Sequence, residues 1–339
     1  MESWKKILTA DPTDWLLEEE NPSVRYLTLT GLLDESEKNA AVKKAKKQIM
    51  AAGIVPRILA KQRNNGSWED AGQFYREKYR GTVWQLIILA EAMADGHDAR
   101  VRNACEYLLA HSQDKRSGGF SVDASADGGG RHSYIIPCLA GNMLFSLIRL
   151  GYLNDERIKR GIDWVIHYQT FDDGVKKAPR GWPYDQLTGC FGHHSCHMGV
   201  VKVLKAFSEI PEKKRSLGVT RVIESAVEFM LTHHIYKKSH ALDEVSKPGW
   251  LKFGFPLMYQ TDVLEIMLLM AKLNITDDRM KDALSLVISR QDSRGRWNLQ
   301  QSFNGRFQVN CEVKGKPSKW LTLNACRVLK KYAGTMAKM

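Results

Sequence analysis

No apolar run in this chain approaches the ~18 residues that a membrane-spanning helix needs. The first residues, Met-Glu-Ser-Trp-Lys-Lys, lack the apolar stretch of a signal peptide. These two absences lead us to expect a cytoplasmic protein. Alternation of period two, the mark of a half-buried strand, is almost missing, which argues against a sheet. Lysine and arginine are scattered rather than blocked, apart from small clusters at Lys43–Lys47 and Lys213–Arg215, and no nucleic-acid-binding motif occurs, so no nucleic-acid partner is expected. The net charge of +12 reads as a solvated basic surface and leaves room for peripheral contact with anionic lipid. Cysteines are few: Cys105, Cys138, Cys190, Cys196, Cys311 and Cys326, expected to be reduced in a cytoplasmic chain. Cys105 and Cys326 fall in apolar helical stretches and read as small core residues.

What is present is a repeat. Gln62-Arg-Asn-Asn-Gly66-Ser-Trp68 and Gln291-Asp-Ser-Arg-Gly295-Arg-Trp297 both fit Q-x-x-x-G-x-W. Gln113 to Phe120 is a looser copy, and Gln169 to Gly174 reaches its aromatic only at Trp182. A fifth copy, expected near His233–Trp250, is reduced to Pro-Gly-Trp. Intervals of about 50 residues suit one helical hairpin plus its loops. The glycine can turn the loop, the tryptophan cap the gap between hairpins, and the glutamine bond backbone of the next repeat. These are structural roles.

Apolar residues at three- and four-residue intervals place one helix before each glutamine and one after each loop. The first series is 3–16, 36–62, 98–112, 155–169, 215–235 and 277–291. The second is 22–34, 82–94, 134–151, 195–208, 256–273 and 318–332. The second series is apolar around most of its circumference and should be buried on nearly all sides. The simple arrangement is two concentric rings with the apolar series inside; the hydrophobic pattern alone also permits an open solenoid, and the count of six per series favours closure. The expected fold is therefore all-α, an α/α toroid, with residues 1–339 as a single domain.

With its Q-x-x-x-G-x-W loops, the chain resembles the terpenoid cyclase and protein prenyltransferase toroid group, and within it the small single-domain prenyltransferase and squalene-oxidase repeat proteins. Pro137-Cys-Leu-Ala-Gly-Asn142, Cys190-Phe-Gly-His-His-Ser-Cys196 and Gly315-Lys-Pro-Ser-Lys-Trp320 carry the narrower likeness. The resemblance implies an apolar, isoprenoid-like substrate in a central cavity. The chain departs from the group's chemistry in two ways. It has no D-x-D-D acid motif of the class II cyclases, and Asp172-Asp173-Gly-Val-Lys and Asp277-Asp278-Arg-Met-Lys both fail the D-D-x-x-D box. Prenyltransferases of this group hold a zinc with Asp, Cys and His and pair with a second, helical subunit.

In a toroid the inner helices all start at one end, where free N–H groups favour anions. The residues there are Tyr75, Arg76, Tyr79 and Arg80; Arg131, His132 and Tyr134; Cys190, His193, His194 and Cys196; Tyr259 and Asp262; and Lys316, Lys319 and Trp320. Their convergence on one mouth defines the expected site. Arg76, Arg80, Arg131, His132 and Lys319 would bind a diphosphate or carboxylate. Trp84, Phe145, Tyr259 and Trp320 would line an apolar cavity. The alternative is that the basic residues form surface ion pairs with Asp123, Asp127, Asp185 and Glu312. Asp185 and Asp262 are the carboxylates to test as general acids or bases, and His193 should face the mouth. Cys138, Cys190, His194 and Cys196 form a candidate Cys₃His zinc set. Core packing of the cysteines and a reactive thiol are the competing readings.

Three functions remain open at this stage. One is an isoprenoid-handling enzyme, cyclase-like or prenyltransferase-like. The second is a toroid that binds or scaffolds without chemistry. The third is a carbohydrate-active α/α toroid, against which the Gln–Trp loops count.

Overall fold

The computed structural model describes residues 3–70, 72–177 and 179–336. It is all-α apart from two short antiparallel ladders. The helices are α1 (Thr13–Leu16), α2 (Pro22–Gly31), α3 (Ala40–Ile49), α4 (Ile54–Leu59), α5 (Thr82–Glu91), α6 (Ala99–Ser112), α7 (Pro137–Leu147), α8 (Glu156–Tyr168), α9 (Thr188–Phe191), α10 (His197–Ser208), α11 (Leu217–Thr232), α12 (Val263–Lys272), α13 (Lys281–Ser289) and α14 (Lys319–Met336). The strands β1 (Lys237–Lys238) and β2 (Ala241–Val245) pair, as do β3 (Trp297–Asn298) and β4 (Pro317–Ser318).

Two series of helices are present, as the apolar periodicity predicts, with shorter bounds. The segment 36–62 is broken into α3 and α4 around Gly53, whose φ of 78° a helix does not accommodate. The helix expected from 134 starts at Pro137, which fits the first helical turn because it needs no N–H donor there. The helix expected from 256 starts only after Asp262, which caps it.

Helices α5, α7 and α10 are buried around almost their whole circumference. α8 buries only the stripe Ile158, Gly161, Ile162, Trp164 and Val165. Burial thus follows the apolar pattern of each helix. The buried helices follow one another in contact, α5 on α7, α7 on α10, α10 on α12, α12 on α14 and α14 on α2. Ser23 Oγ, on α2, donates to the Ala92 carbonyl at the end of α5 at 2.7 Å. Each of α2, α5, α7, α10 and α12 also packs on the outer helix that follows it, whereas α14 packs on the N-terminal segment Ser3–Ile7 and α1.

The repeat loops show why their residues are used. Gln62 Nε2 donates to its own loop at the Gly66 carbonyl and to Arg100 at the start of α6, both at 2.9 Å. Gln113 makes the same pair of bonds, to Gly118 and to Arg157 at the start of α8. Gln291 reaches the N-terminal segment instead, donating to the Ile7 carbonyl and accepting from Thr9 N–H. The glycines sit against backbone of those same segments. A Cβ on Gly66 would come within 2.6 Å of the Asn103 carbonyl oxygen, and one on Gly295 within 1.9 Å of that of Ala10. Trp68 and Trp297 each donate Nε1 to a carbonyl of the helix ten residues earlier, Ile58 and Val287. A second repeat runs beside the first. Asp98, Asp155 and Asp277 each cap an outer helix or its leading turn and hold the arginine two residues on, Arg100, Arg157 and Arg279. Arg157 and Arg279 continue to Glu106 and Glu228 of the preceding outer helix.

Candidate functional site

A cavity of about 290 Å³ lies among the buried helices, with wall residues from α2, α5, α7, α10, α12 and α14. Its apolar lining is Leu27, Phe255, Leu268, Leu269, Trp320 and Leu321 among others. Trp320 is stacked on Phe255 at 4.3 Å between ring centres. Charged residues from the ends of α5, α7 and α10 and from α12 and α14 line the same cavity.

The charged residues are a connected set. Lys202, fully buried on α10, donates to both oxygens of Glu265 at 2.8 and 2.7 Å. Lys205, one turn on, bonds Glu265 at 2.9 Å and also Glu91. Its ammonium lies 4.4 Å from the Phe145 ring centre. Arg149 lies within 4 Å of both Glu91 and Glu209, and Lys272 bonds Glu209 at 2.7 Å. Burial alone would raise the Glu265 carboxyl, but the two lysines reverse this and hold it at about 2. Burial pulls Lys202 below the ordinary lysine range, partly offset by Glu265.

Two wall groups stand apart. Burial pushes the Asp262 carboxyl up to about 7, against the two backbone N–H bonds it accepts from Glu265 and Gly254, both 2.8 Å. Arg327, half-buried on α14, is within electrostatic reach of Glu209 and Glu91, yet forms no ion pair among the described residues. Four cations (Arg149, Lys205, Lys272, Arg327) therefore line the cavity with three glutamates, and Lys202 lies buried behind Glu265.

The end of the buried helices where the sequence places the site is filled differently. Tyr79 stacks on Phe303 at 4.0 Å and packs against Trp84 and Tyr259. Lys78 Nζ lies 4.7 Å from the Tyr259 ring centre and 5.0 Å from that of Tyr75. Aromatic packing crowds this region, and Trp84 and Tyr259 do not line the 290 Å³ cavity as expected, whereas Phe145 and Trp320 do; Tyr259 lines a separate cleft of about 320 Å³ with Trp250, Gln260 and Gln301. Arg76 forms a two-pronged ion pair with Asp123, the surface-pair alternative. Arg80 is exposed. Lys319 is neutralised by Glu18 and Glu20 at 2.6 and 2.7 Å. His132 bonds Asp114 and stacks on Trp182, while Arg131 lies over Tyr134; both line a separate outer cleft. Of the two aspartates, Asp262 is on the cavity wall. Asp185 is exposed and closes a turn by accepting from Gly181 N–H. His193 is exposed.

The four expected zinc ligands are not brought together. Cys138, Cys190 and Cys196 come close enough to act on one another electrostatically. Burial, reinforced by the neighbouring sulfurs, drives Cys138 far above the ordinary thiol range and Cys190 up to about 11, which favours thiols over thiolates. His194 is drawn elsewhere by an extended bridge to Asp173, whose carboxylate lies 3.5 Å from its Nδ1. Among the described residues, the group of three potential ligands that does converge is Asp173, His194 and His240.

Lys202, Lys205 and Glu265 lie outside the site expected from the sequence. Their signal was there: charges inside Val200-Val-Lys-Val-Leu-Lys-Ala-Phe207 and Val263-Leu-Glu-Ile-Met267, helices otherwise apolar all round. A buried lysine needs a buried partner, so the two runs could have been paired.

No protein-family model matches the chain, and no curated protein does. Among solved structures, a variant of the type II terpene cyclase MstE from Scytonema, in complex with its substrate geranylgeranyl dihydroxybenzoate, is 15% identical with a TM-score of 0.43. That alignment covers 93% of this chain and 88% of the other. The apo enzyme MstE is 11% identical over 86% of this chain and 98% of the other, with a TM-score of 0.32. A protein from Actinoplanes gives 11%, 86%, 99% and 0.30 for the same quantities. No helix among the described residues is long and apolar enough to cross a membrane. Similarity at this level says nothing of what the present chain binds or does.

Proposed function

We propose that this chain is an α/α toroid of the terpenoid-cyclase and prenyltransferase kind that takes a short isoprenoid-like molecule with an anionic end into its central cavity. The ring closes where α14 meets the N-terminal segment and Gln291 bonds Ile7 and Thr9. The observation that carries the reading is the wall itself, which combines apolar residues with four cations against three glutamates, a surplus of one positive charge when Asp262 is protonated. A cation excess enclosed by helices needs an anion, and Arg327 is the unpaired member. The volume is at the lower end of ligand pockets, about 300 Å³, which suits a short chain rather than a triterpene.

Asp262 is the general acid in this reading. Its carboxyl, held at about 7 by burial, is about half protonated at neutrality and keeps its proton below it, the state an acid catalyst needs. It replaces the missing D-x-D-D motif with a single buried carboxyl. Turnover that depends on it rises as pH falls through about 7.

Calorimetric titration tests the binding step. Geranyl diphosphate and the matching carboxylate should bind, and the neutral alcohol geraniol at least about 10-fold more weakly. Arg327→Gln should weaken the anions about 10-fold, the loss of one charge-assisted contact of about 1.5 kcal/mol. Equal affinity for geraniol, or an Arg327→Gln variant with unchanged affinity, rejects the reading.

A further inference from the structure

Away from the central cavity, three loops meet at one aspartate. Asp173 follows α8, His194 precedes α10, and His240 sits in the turn between β1 and β2. Asp173 Oδ1 is 3.5 Å from His194 Nδ1, and Oδ2 is 3.8 Å from His240 Nε2. One ligand atom from each lies within 4.8 Å of the others. Tetrahedral zinc with bonds of ~2.0–2.2 Å holds its ligands roughly 3.3–3.5 Å apart, so small side-chain rotations close the set.

Other features prepare these groups. His233, at the end of α11, has Nδ1 at 2.7 Å from the Phe229 carbonyl and Nε2 at 2.9 Å from Asp173 Oδ1; both partners are acceptors, so the ring bonds the carboxylate in its doubly protonated form. It orients the carboxylate from behind, as outer partners of metal ligands do. Gly174, with φ of 82°, lies under the His194 ring; a Cβ there would come within 2.4 Å of His194 Cε1. The Asp173 side chain is only 15% exposed, whereas His194 and His240 are 56% and 67% exposed. The buried oxygen donor thus lies inside and the two imidazoles face water.

We infer that Asp173, His194 and His240 form a binding site for a divalent transition-metal ion of the zinc class, with at least one coordination position open to solvent. Two imidazoles and a carboxylate suit this class better than calcium or magnesium, which prefer all-oxygen shells. Asp173 also lines a neighbouring cleft of about 750 Å³, together with Lys176, Lys177 and Glu228. The site is independent of the central cavity and of its ligand. It joins the α8–α10 connection to the β1–β2 hairpin, adding to the bonds that Ser195 makes with Asp172 and Thr170.

The test uses the full chain without an affinity tag, stripped with a chelator and dialysed against zinc. About one zinc per chain is expected, lost in His194→Ala/His240→Ala and in Asp173→Asn. The exposed histidines can be replaced without opening the core, and unchanged helical circular dichroism checks this. Cobalt in place of zinc should give weak visible bands without the near-ultraviolet charge-transfer band of a thiolate ligand. Cys190→Ser/Cys196→Ser should keep the metal. Absence of bound zinc, zinc that survives the double histidine variant, a thiolate charge-transfer band, or zinc lost with the cysteines each overturns the assignment.

Discussion

Glu265→Gln should destabilise the protein by about 3–5 kcal/mol at pH 7, the cost of leaving a buried ion without its partner. Lys202 is fully buried, and both its ammonium bonds go to Glu265. Lys205 keeps Glu91 and suffers less. The mechanism makes a second demand. Adding Lys202→Met to Glu265→Gln removes the stranded charge, so the double variant should be more stable than Glu265→Gln alone. Urea denaturation of the four proteins of this cycle measures both effects. If the double variant is as unstable as the single one, an unpaired Lys202 is not the cause.

The same pair has a pH signature. The folded-state Glu265 carboxyl is held at about 2, below its ordinary value of 4.5. A depressed carboxyl adds stability that is present in full above the unfolded value and is lost as pH falls through the folded one. The wild type should therefore lose this contribution between about pH 4.5 and 2, and Glu265→Gln should not. Asp262 acts in the opposite sense. Its folded value, about 7, lies above the ordinary 3.8, so its contribution is complete below about 3.8 and falls away as pH rises through about 7. The denaturation midpoint of the wild type across pH 2–8 should show both slopes.

Trp297→Ala should cost about 4 kcal/mol, in the range for emptying a buried aromatic site. The ring is fully buried, Nε1 donates to the Val287 carbonyl at 2.7 Å, and the backbone N–H bonds Thr322 Oγ1 on α14. The side chain thereby holds α13 to the loop that carries Gly295 against Ala10, the seam between the last repeat and the N-terminal segment. Trp297→Phe keeps most of the ring and loses one hydrogen bond, so about 1–2 kcal/mol is expected. Thermal and urea unfolding of both variants separate packing from bonding. A Trp297→Ala variant within about 1 kcal/mol of wild type would show that the seam does not depend on this residue.

The helices and the repeat were legible because they rest on local rules. A run such as Thr82 to Ala90, apolar at nearly every position, can only be buried on all sides, and it is. The glutamine of Q-x-x-x-G-x-W was expected to bond backbone of the next repeat; Gln62 and Gln113 do so, and Gln291 bonds the N-terminal segment. The site was much less legible. Functional residues crowd the N-terminal ends of the buried helices, but aromatic side chains from Tyr75, Tyr79, Trp84, Tyr259 and Phe303 pack together at that end. Arg76 and Lys319 are spent on carboxylates far away in sequence, Asp123 and Glu18.

The amino-acid order by itself determined the all-helical class, the two series of helices, the loops that join them and Asp262 as a carboxyl to test. These depend on residues within a turn or two of one another, so periodicity and capping chemistry suffice. Tertiary structure alone decided which charges meet. Glu265 lies 60 residues beyond Lys205 and 114 residues separate Lys205 from Glu91, yet one cavity wall holds all three. His194 illustrates the same point. Its sequence neighbours Cys190 and Cys196 suggested a thiolate site, but an extended bridge sets it on Asp173, beside a histidine from a distant hairpin. Electrostatic partnership is a matter of distance in space, and only the packed chain sets that distance.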